Sequence, residues 1–154
     1  MLTEASRVLR PGGLILLGEW IHLPVDSSTG RSPPGVSAFC RALDSSLLSE
    51  YGIENIPPYL ADLISQLSGF EDVQSHDYYM PIGDWARSSP RAKDLGARFG
   101  QTLEIWSESA AMVLAKAGYD QDEVGGLVNG FTGEIADVPG LQIAYRVVTA
   151  RCVA

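Results

Sequence analysis

Cysteine, histidine and positive charge are scarce in this chain of 154 residues. The two cysteines, Cys40 and Cys152, lie far apart, and neither belongs to a pair with metal-ligand spacing. Both stand among apolar residues, which favours buried free thiols over a disulfide or a nucleophile. Two histidines cannot supply a multi-histidine metal site. These shortages argue against a structural metal and favour an intracellular, cytoplasmic protein.

Basic residues number eleven against nineteen acidic ones, which gives a formal charge of −8. The basic residues are scattered, whereas a protein that binds nucleic-acid phosphates needs a clustered basic face. Runs of about 18 apolar residues, as a membrane span requires, are missing as well. Neither a nucleic acid nor a membrane is therefore expected as a partner. The sequence also lacks a Gly-x-Ser-x-Gly elbow and a phosphate-binding loop, which argues against a hydrolase.

The first organised segment is a helix end, a tight turn and a strand. Apolar residues in 2–9 share one helical face, and Pro11 ends that helix because it lacks a backbone donor. Gly12 and Gly13 permit the reversal. Residues 14–20, LILLGEW, begin without alternation, which predicts a strand covered on both faces, as in a parallel sheet. Helix, short turn and buried strand are half of a βαβ repeat, so the predicted fold class is α/β.

The remaining pattern combines helical stretches with two further strands. Residues 21–35, rich in proline, glycine and serine, are predicted as a loop, and two helices are predicted within 36–67. Residues 73–80 are predicted as a partly exposed strand. A second helical region spans 92–136, with a capping box at the start of its last helix. Alternation in 141–153 predicts the last strand, in an antiparallel or mixed setting.

The turn before the first strand resembles a motif of class I S-adenosylmethionine-dependent methyltransferases. In that family a helix that ends in R-x-L-[KR]-P-G-G leads into the fifth strand, and RVLRPGG at 7–13 matches this motif throughout. The sequence SGFEDVQ at 68–74 resembles the step before the family's sixth strand. The alternative is a proline-glycine turn in some other doubly wound protein. The matching residues of the first motif are Arg7, Leu9, Arg10, Pro11, Gly12 and Gly13.

The resemblance implies a partial Rossmann-like fold with a mixed sheet and helices packed on it. In this family the seventh strand is antiparallel and inserts between the fifth and the sixth. The helical regions would be insertions on the substrate side of a single domain. The assigned parts are 14–20, 141–153 and 73–80 as strands five, seven and six, with 36–67 and 92–136 as the insertions, all within 1–154.

A second resemblance concerns the stretches from Asp84 to Glu104 and from Ala117 to Asp137. They are similar to a group of fungal small-molecule methyltransferases, some of which act in secondary metabolism. This similarity implies a small-molecule methyl acceptor for the full enzyme.

The family's cofactor site lies in its N-terminal half, and its glycine-rich turn and acidic residues have no counterpart here. Gly12 and Gly13 precede a strand instead of following one, and Gly125 and Gly126 lie inside a helical pattern. The chain is therefore expected to be the C-terminal, substrate-recognition part of the enzyme, inactive and without S-adenosylmethionine when alone. The alternatives are a truncated, non-catalytic paralogue that serves as a protein-binding or scaffold module, and a small complete α/β domain of unrelated function.

The candidate site residues lie at the carboxyl end of the first strand and beyond, where ligands bind in open α/β sheets. Glu19 and His22 are candidates for a base that deprotonates an acceptor, with a backbone contact and a solvated loop position as the alternatives. Trp20 and His22 are candidates for binding the acceptor at the rim. Phe39 and Trp106 are candidates for lining its pocket, although their helical spacing also suits core packing.

The apolar strand 14–20 pairs with a fourth strand in the family. Without that partner its edge is an association hazard. The sequence therefore predicts a homo-oligomer, or binding of a partner chain, through this edge.

Overall fold

The computed structural model describes residues 2–86 and 89–153. It combines helices with strands, so the predicted α/β class is confirmed. The elements are α1 (Leu2–Val8), β1 (Leu14–Asp26), α2 (Pro34–Tyr51), a 3₁₀ turn (Pro57–Tyr59), α3 (Leu60–Ser65), β2 (Phe70–Pro81), α4 (Pro90–Lys116), α5 (Gln121–Asp137) and β3 (Leu141–Cys152).

The three strands form one sheet in the order β1–β3–β2, with the last strand of the chain in the centre. The start of β1 meets the end of β3, since the Gly12 amide donates to the Cys152 carbonyl at 2.8 Å. The end of β2 meets the start of β3, where the Ile82 amide donates to the Leu141 carbonyl at 2.8 Å. Both neighbouring pairs are therefore antiparallel. The central place of the last strand agrees with the expected order. The expected mixed sheet is wrong for these three strands, because both pairs are antiparallel, and the strand numbers five to seven stay predictions.

The chain divides by its internal contacts into two compact units, and each strand contributes residues to both. The single domain over 1–154 stays a prediction. The first unit comprises Met1–Ile21, Ile56–Tyr78 and Ala144–Ala154, and the second comprises His22–Asn55 and Tyr79–Ile143.

The core of the first unit lies on one face of β1. Ile15 and Leu17 pack against it, while Leu14 and Leu16 are 56% and 61% exposed. The prediction that this strand is covered on both faces is therefore wrong. Successive side chains of a strand point to opposite faces, so a core on one side leaves alternate residues exposed however apolar they are. The buried members of this core are Leu60, Ile64, Phe70, Val148 and Ala150.

The second unit is built around three helices, α2, α4 and α5, which pack on one another. Its centre is aromatic: the buried rings of Phe39 and Phe131 lie 4.4 Å apart, and Trp106 meets Phe39 edge-on at 5.7 Å. The predicted capping box is confirmed at the start of α5. The Asp120 side chain accepts the Glu123 amide at 2.8 Å, and the Glu123 carboxylate accepts the Asp120 amide at 2.9 Å.

The strand β1 is longer than predicted, because it runs on to Asp26 through residues assigned to a loop. Pro24 is buried within it, and proline is tolerated in β1 because β1 is an edge strand of the sheet. The connection to α2 then shrinks to 27–33. It opens with a tight turn in which the Asp26 carboxylate accepts the Ser28 amide at 2.8 Å.

Candidate functional site

The strand β1 carries His22 into the second unit, where its side chain faces the helix α2. Cys40 and Asp44 lie four residues apart on that helix and therefore share one face. Asn55 follows α2 and reaches the same carboxylate. We refer to His22, Asp44 and Asn55 as the His22 cluster.

Only some of the polar atoms in the His22 cluster have hydrogen-bond partners. The Asn55 side-chain amide donates to Asp44 Oδ2 at 2.9 Å, whereas His22 Nδ1 lies 3.7 Å from Asp44 Oδ1. His22 Nδ1 and Asn55 Oδ1 are both buried, and neither has a hydrogen-bond partner in the part of the chain that the structure describes. Buried polar atoms are nearly always paired, so two open ones in a single cluster need an explanation.

Cys40 fixes the backbone beneath this cluster. Its Sγ donates to the carbonyl oxygen of His22 at 3.1 Å. Burial, and to a lesser extent the nearby charge of Asp44, raises the pKa of the Cys40 thiol to about 12. The thiol is therefore protonated at neutral pH and serves as a donor, not as a nucleophile. Both cysteines are free and buried, as the sequence analysis predicted.

The arrangement suits proton transfer. A carboxylate beside one imidazole nitrogen fixes the ring and its tautomer, and leaves the other nitrogen to exchange a proton with a ligand. The sequence analysis selected His22 but neither Asp44 nor Asn55. Helical spacing shows that Cys40 and Asp44 share a face, but it does not show that β1 brings His22 against that face.

The other predicted site residues occupy different surroundings, and their roles stay predictions. Glu19 is exposed on β1 in the first unit. Trp20, in the same unit, meets the Tyr145 ring of β3 edge-on at 4.9 Å. In the second unit Phe39 is fully buried, and Trp106, which packs against it, is partly exposed. Of these two, only Trp106 has exposed surface for a ligand.

A second feature of this unit is an open cleft of about 790 Å³ at the carboxyl ends of β1 and β2. The Trp85 indole N–H donates to the Leu141 carbonyl at 2.9 Å, which fixes the ring in the wall. Lys93 Nζ lies 3.3 Å from Asp84 Oδ2, so the cleft carries both signs of charge. The sequence analysis selected none of these residues, although an aromatic residue just after a strand's carboxyl end was a usable signal. The lining includes Ser27, Asp84, Trp85, Ser89, Lys93 and Gly140.

The glycine turns do not fit S-adenosylmethionine in the way the resembling family binds it. The Gly12 amide is used by the Cys152 carbonyl, and the Gly13 amide donates to the Arg10 carbonyl at 2.7 Å. The loop after β1 contains one glycine, Gly30, whose amide donates to the Asp26 carbonyl at 2.7 Å. These amides are occupied by the fold and cannot bind a ligand as a glycine-rich turn at a helix N-terminus does.

Residues 2–86 and 89–153 contain neither a metal-ligating cluster nor a helix suited to a membrane. No group of three side chains there has the composition and proximity to hold a metal ion. Within the same ranges, none of the helices combines the length and apolar character that a membrane crossing requires.

Comparisons with known proteins give only distant structural likenesses. No protein-family model matches the chain, and none of the curated proteins does. Among solved structures, the chain is similar to phosphoethanolamine N-methyltransferase 2 of Haemonchus contortus, which was solved with phosphomonomethylethanolamine and S-adenosylhomocysteine. The identity is 16% and the TM-score 0.41, over 99% of this chain and 29% of that chain. The chain thus spans less than a third of that protein, and a likeness at this level carries no argument about function.

Proposed function

We propose that this chain is the C-terminal, substrate-recognition part of a class I S-adenosylmethionine-dependent methyltransferase domain that acts on a small molecule. The observation that carries the proposal is the turn RVLRPGG, which leads directly into β1. Its support from the fold is the central, antiparallel place of β3 between β1 and β2. A proline-glycine turn alone occurs in many α/β proteins, whereas the turn and this strand order together are expected of few.

The acceptor side of the proposed site lies in the second unit. The cleft beside Trp85 opens beyond the carboxyl ends of β1 and β2, where open α/β sheets bind ligands. Its fixed indole ring and mixed charges suit a small, partly apolar acceptor. None of the residues predicted from the sequence lines this cleft. Glu19 and His22 stay proposed as bases, and Trp20, His22 and Trp106 stay proposed as acceptor contacts, each on its own merits. Phe39 has no exposed surface and is no longer proposed as a contact. A cytoplasmic location and the fungal secondary-metabolism type belong to the same proposal.

The methyl donor of the complete domain is S-adenosylmethionine, which would bind mainly to residues of an N-terminal half. The turns described above do not fit it, so the 154-residue chain is proposed not to bind the donor by itself. Class I methyl transfer is largely a positioning reaction, in which a base helps when the acceptor must lose a proton.

The test combines the upstream coding sequence with a measurement of cofactor binding. We expect the coding sequence upstream of Met1 to encode a glycine-rich strand-turn-helix, and the continuous product to bind S-adenosylhomocysteine in calorimetric titration. The 154-residue chain alone, as the matched control, should show no binding tighter than millimolar. Tight binding by the short chain, or a continuous product that does not bind, contradicts the proposal.

A second candidate is a non-catalytic, truncated paralogue that acts as a protein-binding module. The observation that favours it is β1, an edge strand with Leu14 and Leu16 more than half exposed. The proposed occupant of this edge is a second copy of the chain, since an unpaired apolar strand can pair with its own kind. Light scattering should then show a dimer that Leu16→Lys weakens. A stable monomer at high concentration rejects this candidate.

A further inference from the structure

We infer that the His22 cluster is a proton-transfer site in which His22 Nε2 accepts the proton and Asp44 and Asn55 are positioning residues. The inference deepens the proposed function, on which it rests for the identity of the proton donor, a hydroxyl or N–H group of a small acceptor. It selects His22 over Glu19 as the base. All three members of the cluster belong to the second unit.

The two ring nitrogens of His22 differ in their burial. Nδ1 is buried, yet 42% of the His22 side chain is exposed. The exposed surface of the side chain therefore lies away from Nδ1, and we take Nε2 to be part of it. A ligand that approaches from solvent meets Nε2 first, and Nδ1 is left to the protein.

The carboxylate of Asp44 determines which nitrogen carries the proton in the neutral ring. A lone pair on Nδ1 that faced Asp44 Oδ1 at 3.7 Å would be repelled by the negative charge, whereas a proton there is attracted. The neutral ring is therefore protonated on Nδ1 and has its lone pair on Nε2. The separation exceeds hydrogen-bonding distance by about 0.5 Å. Such contacts are often long in a free enzyme and shorten when substrate binds.

Asn55 holds the carboxylate from its other side. Its side-chain amide donates to Asp44 Oδ2 at 2.9 Å, which leaves Oδ1 for the histidine. The buried Asn55 Oδ1 has no partner among the described residues, so the cluster still has one acceptor to offer.

The proton transfer balances without another reactant. The O–H or N–H bond of the acceptor breaks, the proton moves to His22 Nε2, and the electron pair stays on the acceptor atom. The ring becomes an imidazolium, and the Asp44 carboxylate stabilises its positive charge.

The tautomer of His22 is measurable in the full 154-residue chain without donor or acceptor. The chain has two histidines, so His76→Asn leaves a single imidazole to observe. Two-bond ¹H–¹⁵N correlation spectra at about pH 9, above the ordinary imidazole pKa of about 6.5, report which nitrogen is protonated. The variants are Asp44→Asn and Asn55→Ala. Glu50→Gln, which removes a charge from an exposed position of the same helix, is the matched control.

We expect the Nδ1–H tautomer in the parent and in Glu50→Gln, a shift toward the Nε2–H tautomer in Asp44→Asn, and a smaller shift in Asn55→Ala. The tautomer reports whether the Asp44 carboxylate orients the ring, since a carboxylate that does not act on Nδ1 would leave the tautomer of a folded variant unchanged. An Nε2–H ring in the parent, or a tautomer that Asp44→Asn leaves unchanged, overturns the inference. These results do not depend on methyl transfer, so failure of the binding test above and failure of this one are distinguishable.

Discussion

Two polar clusters of the molecule, one in each unit, differ in how many of their polar atoms are hydrogen-bonded. In the first unit Arg146 donates to both carboxylate oxygens of Asp77, at 2.7 and 2.8 Å, and to the Pro58 carbonyl at 2.9 Å. We refer to these three residues as the Arg146 clamp. The His22 cluster in the second unit has one short hydrogen bond, one separation of 3.7 Å and two buried atoms without partners among the described residues.

The difference teaches what each cluster is suited to do. A bidentate guanidinium–carboxylate pair with a backbone acceptor is strong, and it stabilises the β2–β3 pairing of its unit. An incompletely satisfied cluster contributes little to stability, and its open atoms leave capacity for a further polar partner. We therefore expect the Arg146 clamp to affect unfolding and the His22 cluster to affect chemistry.

The largest expected effect concerns Cys40, whose thiol donates to the His22 carbonyl beneath the His22 cluster. Because burial raises the pKa of Cys40 from 9.0 to about 12, the folded state retains a proton that the unfolded chain releases. The resulting stability is complete below about pH 9 and is lost as the pH rises toward 12. By about pH 11 the loss in the free energy of unfolding should be on the order of 3 kcal/mol.

Urea unfolding from about pH 8 to 11 measures this slope. Cys40→Ala, which has no thiol to ionise, should show a flatter dependence than the parent. An equal slope in the two proteins would mean that Cys40 ionises as readily when folded as when unfolded.

Removal of the cation of the Arg146 clamp should have the next largest effect. Arg146→Met leaves the Asp77 carboxylate and the Pro58 carbonyl without their donor, and should lower the free energy of unfolding by about 2 kcal/mol. Arg151→Met, on the same strand but exposed, loses only a 3.2 Å bond to the Gly12 carbonyl and should cost about 0.5 kcal/mol or less. Chemical denaturation compares them, and equal costs would remove the contrast between the clusters.

Acid should weaken the Arg146 clamp by protonating Asp77. The loss in the free energy of unfolding should be smaller than that caused by Arg146→Met. The hydrogen bonds and charge of Arg146 hold the pKa of Asp77 below its ordinary value of 3.8. The stability from this shift is present above about pH 4 and is lost as the pH falls through the lower, folded-state value. The loss is smaller than in Arg146→Met because the guanidinium keeps its bond to Pro58. Asp77→Asn should unfold with less dependence on pH below 4, and an unchanged dependence would argue against the shift.

The smallest expected effect on stability is that of Asp44→Asn. The replaced oxygen makes no hydrogen bond to His22 at 3.7 Å, so the free energy of unfolding should change by about 0.5 kcal/mol or less. Denaturation of the variant used for the tautomer measurement gives this value directly. A cost close to that of Arg146→Met would show that the His22 cluster is structural after all.

Local signals allowed much of the fold to be predicted. Pro11 and the glycines after it marked the first turn, Asp120 and Glu123 marked the start of α5, and alternation marked β3. The coverage of β1 was not predictable, because Leu14 and Leu16 are as apolar as their buried neighbours and only tertiary packing decides which face is exposed.

The candidate site was less predictable than the fold. His22 was selected because it follows a strand, but its partners depend on a contact between β1 and α2 that no spacing rule contains. Asn55 lies after a helix among residues without periodicity, so it offered no local signal. The end of β1 was misplaced because Pro24 suggested a loop, whereas an edge strand tolerates proline.

The central position of β3 has a consequence for biosynthesis. This strand follows both of its neighbours in the chain, so the ribosome completes β1 and β2 before the segment that joins them exists. Throughout the translation of α4 and α5, the nascent chain carries β2 and the leucine-rich β1 before their common partner β3 exists. Such species are prone to aggregate and are typical clients of chaperones. The pairing of β1 and β2 with β3 therefore cannot begin until β3 has been synthesised.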